Sequence, residues 1–180
     1  LVYNEDLEKA IQDLTDATRK YQLSSLEGAN ENNPKDATWV ISCPNFTDDN
    51  NALSMGDWIC ENNPATSKEY KVTTINGQNC WNSWSNNFTS MNLYQELTDL
   101  PAGKYSLSCE TTTDGVPHDQ HAYLTSSSGT AVSAVPTDYY QGSSFNTEAP
   151  WSPLETEKIF VGNDGKLRIG MCSTSGGDTS

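Results

Sequence analysis

Trp81, Trp84 and Phe88 stand among Asn79, Asn82, Asn86 and Asn87. A sugar ring presents C–H faces that stack on aromatic rings. Its rim of hydroxyls needs planar amides or carboxylates. This segment supplies both, so Trp81, Asn82, Trp84 and Asn86 are candidate contacts to a neutral glycan. Trp81 reads more readily as a core residue where the loop enters the sheet, since tryptophan is highly buried on average. Trp84 lies amid Ser and Asn and is expected at the surface.

Tyr139-Tyr140-Gln141-Gly142 and Pro150-Trp151 place further aromatics on connecting segments. Adjacent side chains of an extended chain face opposite ways, so one of Tyr139 and Tyr140 is expected to be exposed. Exposed loop aromatics suit recognition, though a loop packing on itself uses them as well. His118 and His121 are the two histidines. A third metal ligand beside them is not evident, and a polar contact from His118 to a ligand, or plain exposure, fits better. Asp48, Asp49 and Asn50 make an oxygen-rich turn. A structural calcium ion there would need six to eight oxygens, some from the backbone and from a distant carboxylate; a solvated acidic turn needs none. No nucleophile elbow, HExxH or phosphate loop occurs, so catalysis by this chain is not expected.

The chain has 180 residues, room for one sizeable domain and a small appendage. Hydrophobic residues make up 34% and charged residues 19%, and the balance is largely Ser, Thr and Asn. With 5 Trp and 8 Tyr, such a composition indicates a folded β domain with polar loops rather than disorder. The net charge of −14 argues against nucleic acid and anionic lipid as partners. It suits a neutral ligand or cations, or only keeps the protein soluble. None of the five cysteines shows zinc-type spacing, and the odd count leaves at least one thiol unpaired within the chain. No run is long enough to span a bilayer.

Leu7, Ala10, Ile11, Leu14, Ala17, Thr18 and Tyr21 recur at helical spacing, predicting a helix over Glu5 to Leu23. It either lies along the following domain or ends a helical bundle. Residues 27–37 read as a linker after an N-terminal helical region, 1–26. From Thr38 the pattern is β. Strands are expected at Trp39–Cys43, Asp57–Cys60, Glu69–Ile75, Met91–Leu97, Lys104–Glu110, Ala122–Thr125, Ala131–Ala134, Lys158–Val161 and Leu167–Cys172. Asn76-Gly77 is a tight-turn signal. Met91–Leu97 and the Tyr105–Leu107–Cys109 alternation, joined by Asp99-Leu-Pro-Ala-Gly, read as a hairpin at the centre of a sheet. Gly162 to Lys166 reads as a second hairpin loop. Alternating strands must bury one face, which predicts an all-β antiparallel β-sandwich preceded by an N-terminal α-helix.

Asn45-Phe46 with Gly56-Asp-Trp58, Cys80-Trp81-Asn82 leading to Tyr94-Gln95-Glu-Leu97, Leu100-Pro-Ala-Gly-Lys-Tyr105 and Leu167-Arg-Ile-Gly170 occur in a fixed order. Together they resemble the galactose-binding-like jelly-roll modules of secreted and cell-surface proteins from gut Bacteroidetes. The resemblance runs from Thr38 to the end of the chain. It implies a jelly-roll sandwich over 38–180, partners in neighbouring domains of a larger polypeptide, and an extracellular, periplasmic or cell-surface location. Such modules usually close with a further strand bearing a Trp and an Asp-Asn-Phe-like motif, which this sequence does not reach. The expectation is a non-catalytic carbohydrate-binding module with Trp84, Asn82, Asn86, Trp81, Tyr139, Tyr140 and His118 as contacts. The alternative is a structural module that packs against a catalytic or adhesive neighbour without binding sugar.

Overall fold

The structure is a computed structural model that describes residues 4–62, 67–85, 90–113, 119–135 and 140–174. Its elements are α1 (Asn4–Ser24), β1 (Ile59–Asn62), β2 (Ser67–Ile75), β3 (Gln78–Ser85), β4 (Ser90–Leu97), β5 (Gly103–Tyr105), β6 (Ser108–Thr111), β7 (Gln120–Ser126), β8 (Gly129–Ala134), α2 (Phe145–Glu148), β9 (Ser152–Glu155), β10 (Ile159–Val161) and β11 (Leu167–Thr174). The protein is mostly β-strand in antiparallel sheets, with one long N-terminal helix.

α1 forms for local reasons. Glu5 and Asp6 occupy the first turn, where the helix dipole favours negative charge. Lys9 reaches Asp13 at 2.7 Å and Gln12 reaches Asp16 at 2.7 Å, both one turn apart. Its apolar stripe is not buried: Leu7, Ile11, Leu14 and Tyr21 are 52, 57, 69 and 79% exposed. Of the two arrangements the sequence allows, α1 therefore does not lie along the domain. Only its last turn enters the core, through Leu23, with Leu26 just beyond.

One sheet has five strands in the order β1-β4-β11-β7-β8. β4 buries Met91, Leu93, Gln95 and Leu97 on one face, as its alternation predicts. β11 adds Leu167, Ile169 and Met171, and β7 adds Ala122 and Leu124. The outward face is also organised. Tyr94 and Tyr123 flank Gly170, both in register with it. Arg168 lies over the Tyr94 ring at 4.1 Å and donates to Glu96 at 2.6 Å. Tyr94 donates to Glu61 at 3.1 Å and Tyr123 to Asn92 at 2.7 Å.

Opposite the inward face runs a ribbon made of β5 with β10 and β6 with β9. The pairing slips by one residue between its halves: Tyr105 opposes Ile159, but Ser108 opposes Glu155. A β-bulge takes up the extra residue at 157–158. Thr156 repairs the gap, its hydroxyl accepting from the Leu107 amide at 3.0 Å and its own amide donating to the Leu107 carbonyl at 2.9 Å. Ile159, Val161 and Tyr105 then pack with Leu97, Leu124, Leu167 and Ile169.

Four sequence expectations are corrected. Met91–Leu97 and Lys104–Glu110 are not a hairpin. β4 pairs with β1 and β11, whereas β5 pairs with β10, so residues 98–102 form a corner that carries the chain from the sheet to the ribbon. Residues 162–166 are likewise not a hairpin loop, since β10 and β11 do not pair, but a second corner back to β11, and the two corners touch: the Leu100 amide donates to the Gly165 carbonyl at 3.0 Å. Alternation tells which face a residue takes, not which strand it meets. Trp39–Cys43 is not a strand either. The Asp36 carboxylate accepts from the Thr38 amide at 2.8 Å and starts a short 3₁₀ turn, Thr38–Val40. These bonds from Thr38 hold the Asp36 carboxyl below its usual range. Finally, the aromatic and amide-rich segment at 78–85 is itself a strand, β3, zipped to β2 through the turn at Asn76-Gly77, both at positive φ.

Candidate functional site

The strand registers bring many strand ends to one place. Asn62 opposes Met91, Ser90 opposes Thr174, Ser173 opposes Gln120, and His121 opposes Ala134. These ends of β1, β4, β11, β7 and β8 therefore stand together, away from the two corners. β6 runs toward the same end. Along β11 the inward positions Leu167, Ile169 and Met171 lead to Ser173; along the ribbon Tyr105, Leu107 and Cys109 lead to Thr111. Leu167 and Ile169 share a cluster with Tyr105 and Leu107, and Met171 shares the next with Leu107 and Cys109. The two rows run in step, and both turn polar at their last residue.

A cleft of about 2100 Å³ runs between the sheet and the ribbon. Trp81, Asn82, Met91, Gln120, Thr111 and Trp151 are among the residues that line it toward these strand ends. That is larger than the few hundred to about 1,000 Å³ of a pocket for one small ligand.

Trp81 is half-buried and its indole N–H donates to the Met91 sulfur at 3.3 Å. It is a wall of the cleft. Asn82 is half-buried on the same strand, in register with Lys71. Trp84 sits two positions further along β3, opposite Glu69, and its side chain lies outside the described residues. Asn86, His118 and Tyr139 also lie outside the described residues. The strand ends that flank them, Ser85 and Ser90, Gln120, and Ala134, are described, and of these Ser90, Gln120 and Ala134 belong to the convergent end.

Tyr140 is held by its surroundings. Its hydroxyl donates to Glu148 at 2.7 Å and accepts from the Ser144 amide at 3.1 Å, and its ring meets Phe145 at 6.1 Å. With Phe145 and Trp151 it packs on Ile75, Cys80 and Ala149. This is a loop packing on itself beside the cleft. His121 lies on β7 with its ring edge toward Tyr123 at 6.4 Å and its Nδ1 3.8 Å from Asp119.

Asp48 uses one carboxylate oxygen to accept from the Asn50 and Ala52 amides, at 2.8 and 2.9 Å. It is the anchor of a closed turn, and Asp49 and Asn50 are exposed beside it. Among the described residues no three His, Cys, Asp or Glu side chains gather as a metal site.

The residues that carry the family resemblance are largely scaffold. Gln95, 2% exposed, accepts from the Ser42 amide at 2.8 Å and donates to the Ser42 carbonyl at 3.1 Å. Trp58 packs on Phe46 at 5.7 Å and donates to the Cys43 carbonyl at 3.3 Å. Tyr105 donates to the Pro101 carbonyl at 2.8 Å across the corner. All five cysteines are free thiols, and burial pushes Cys80 and Cys109 up to about 11.

Sequence reasoning missed Thr111 and Ser173 and put Trp151 on a loop, for recognition or for packing the loop on itself. All three line the cleft, and each buries a side-chain polar atom that finds no hydrogen-bond partner: Thr111 Oγ1, Ser173 Oγ and Trp151 Nε1. The signal was in the alternation, where a polar residue follows three apolar ones on the same face. No family model matches the chain, and no curated protein is similar to it.

Proposed function

We propose that residues 38–180 form a two-layer β-sandwich of the galactose-binding-like jelly-roll type. Its function is to bind a neutral glycan, without catalysis, in an extracellular, periplasmic or cell-surface protein. The ligand enters at the end of the sheet where the strand ends converge, and stacks on aromatic side chains with amides at its rim. The observation that carries this reading is that convergence. The registers bring the flanks of the segments bearing Asn86, His118 and Tyr139 to one end of the sheet, and Trp81, Asn82 and Trp151 line the cleft toward it. An acidic chain recognises an uncharged partner without electrostatic steering, so selectivity rests on stacking and hydrogen-bond geometry.

The test is a glycan array and affinity gels with wild type, Trp84→Ala and Asn82→Ala. Wild type is retarded by at least one neutral polysaccharide, and both variants lose most of that retardation. An array with no bound glycan overturns the reading.

A second reading rests on its own observation. The unburied stripe of α1 favours a module that docks against a neighbouring domain of a larger polypeptide. Loss of a co-purifying or tethered neighbour on Ile11→Asp, with glycan binding intact in the wild type, would assign that role to the helix and leave the cleft to the sugar.

A further inference from the structure

We infer that the ligand's deepest contact is a neutral, hydroxyl-rich ring seated between the sheet and the ribbon, hydrogen-bonded by Thr111 Oγ1, Ser173 Oγ and Trp151 Nε1. This rests on the glycan-binding reading and adds to it the anchoring subsite, which lies inside the cleft rather than on its rim.

Thr111 and Ser173 are 8 and 4% exposed, and neither hydroxyl has a partner; the Trp151 indole N–H is buried and unpartnered as well. Buried polar groups are almost always hydrogen-bonded, because an unmade bond costs the full desolvation of the group. The three atoms belong to residues that line one cleft, and a ligand that reaches them makes the missing bonds. They contrast with the outward face of the same sheet, where Tyr94, Tyr123 and Arg168 are each paired with a named side chain.

The chemistry of the set selects its occupant. An apolar guest would leave all three atoms unsatisfied. An anion would need a cationic side chain and a metal ion would need carboxylates, whereas the inward positions beside them are Met91, Gln120 and Val135. Two hydroxyls can each donate and accept, and the indole N–H can only donate. A sugar's hydroxyls match both kinds, and the Trp81 and Trp151 rings offer faces to its C–H groups. The register explains how the set is held. Thr111 opposes Ser152, the neighbour of Trp151, and Ser173 lies on β11 between Met91 and Gln120.

The experiment uses the full chain with Thr111→Val and Ser173→Ala, which nearly keep shape and remove the hydroxyl, and Trp151→Phe, which removes the N–H together with part of the ring. Glucose, galactose, mannose, xylose and N-acetylglucosamine, free and as short oligosaccharides, are titrated by calorimetry, and the thermal midpoint of each unliganded variant is recorded. We expect each substitution to raise the Kd of the bound sugar by about 3- to 10-fold, the size of one neutral hydrogen bond. Unliganded Thr111→Val and Ser173→Ala melt no lower than wild type, because they remove an unsatisfied group. Trp151→Phe keeps an aromatic ring and tests the subsite separately should either hydroxyl variant fail to fold. If the three variants bind as wild type does while Asn82→Ala loses affinity, this subsite is wrong and the rim reading stands. If Thr111→Val and Ser173→Ala melt lower with affinity unchanged, the hydroxyls serve resident structure or a bound water, and the inference falls. If wild type binds no sugar, both fall.

Discussion

Gln95 sits inside an apolar stripe and spends its amide on the backbone of one residue, Ser42. It does what a neighbouring strand would do, tying the 41–58 segment to the sheet. Gln95→Leu leaves the Ser42 amide and carbonyl unmade, and is expected to cost about 2–3 kcal/mol, read from the denaturant midpoint, with faster proteolysis within 41–58. Gly170 is fixed by close approach. A Cβ there would stand 2.6 Å from the Leu93 carbonyl oxygen and 2.7 Å from the Tyr123 ring. Gly170→Ala is expected to cost about 1–3 kcal/mol in chemical denaturation, and because the nearest atom is backbone, shrinking Tyr123 does not restore it. The thiols of Cys80 and Cys109 ionise near 11 in the folded protein against 9.0 for the unperturbed group. From pH 9 upward the unfolded chain releases these protons first and so binds fewer. Stability contributed by the buried thiols is whole below about pH 9 and is lost as pH approaches 11. Denaturation midpoints across that window, with Cys80→Ala/Cys109→Ala as the control whose slope is shallower, check the sign. Gln95 was visible in the sequence as a polar residue in the wrong place; its partner, 53 positions away, was not.

At the scale of elements, α1 divides in two. Residues 4–18 bury nothing, while Leu23 and the adjacent Leu26 belong to the core. Removing residues 1–18 is expected to leave the thermal midpoint of the β region within a degree or two, whereas Leu26→Ala costs about 2–4 kcal/mol. A midpoint that collapses on truncation would show that the stripe is covered after all. Which sequence patterns became strands follows from how the pattern arises. β4 and β11 read correctly because one face is buried along their length. β3 did not, because Asn and Ser are poor strand formers. What holds it is β2 beyond the Asn76-Gly77 turn. β9 was hidden by Pro153, which cannot donate to a ladder and is tolerated in this two-stranded pairing with β6. The corners at 98–102 and 162–166 have the Gly and Pro content of hairpin loops, and only their contact with each other tells them apart.

For the molecule as a whole, the excess of 24 acidic over 10 basic residues is a self-repulsion that folding must tolerate. Raising ionic strength from a few mM to about 0.5 M is expected to raise the thermal midpoint by a few degrees, since screening relieves it. A flat response would mean the charges are already spaced beyond effective reach. The β class was legible at this scale, as was the aromatic and amide content of the site. The atoms proposed as anchors were not, because Ser and Thr are common along the whole chain. Only the fold reveals that, among the buried side-chain atoms of the described residues, the hydroxyls of Thr111 and Ser173 lack a partner.

The bond between Leu100 and Gly165 ties together the two turns by which the chain leaves and re-enters the five-stranded sheet. It fixes that end of the two layers, the fulcrum for any tilt between them. Strands of seven or eight residues reach about 20 Å beyond it, so a tilt of about 3° at the fulcrum shifts the tips by about 1 Å. That is the difference between a hydrogen bond made and one missed. The spacing of the two layers at their far ends therefore depends on two turns at the opposite end, one of which also lines the cleft through Leu100, Pro101 and Ala102.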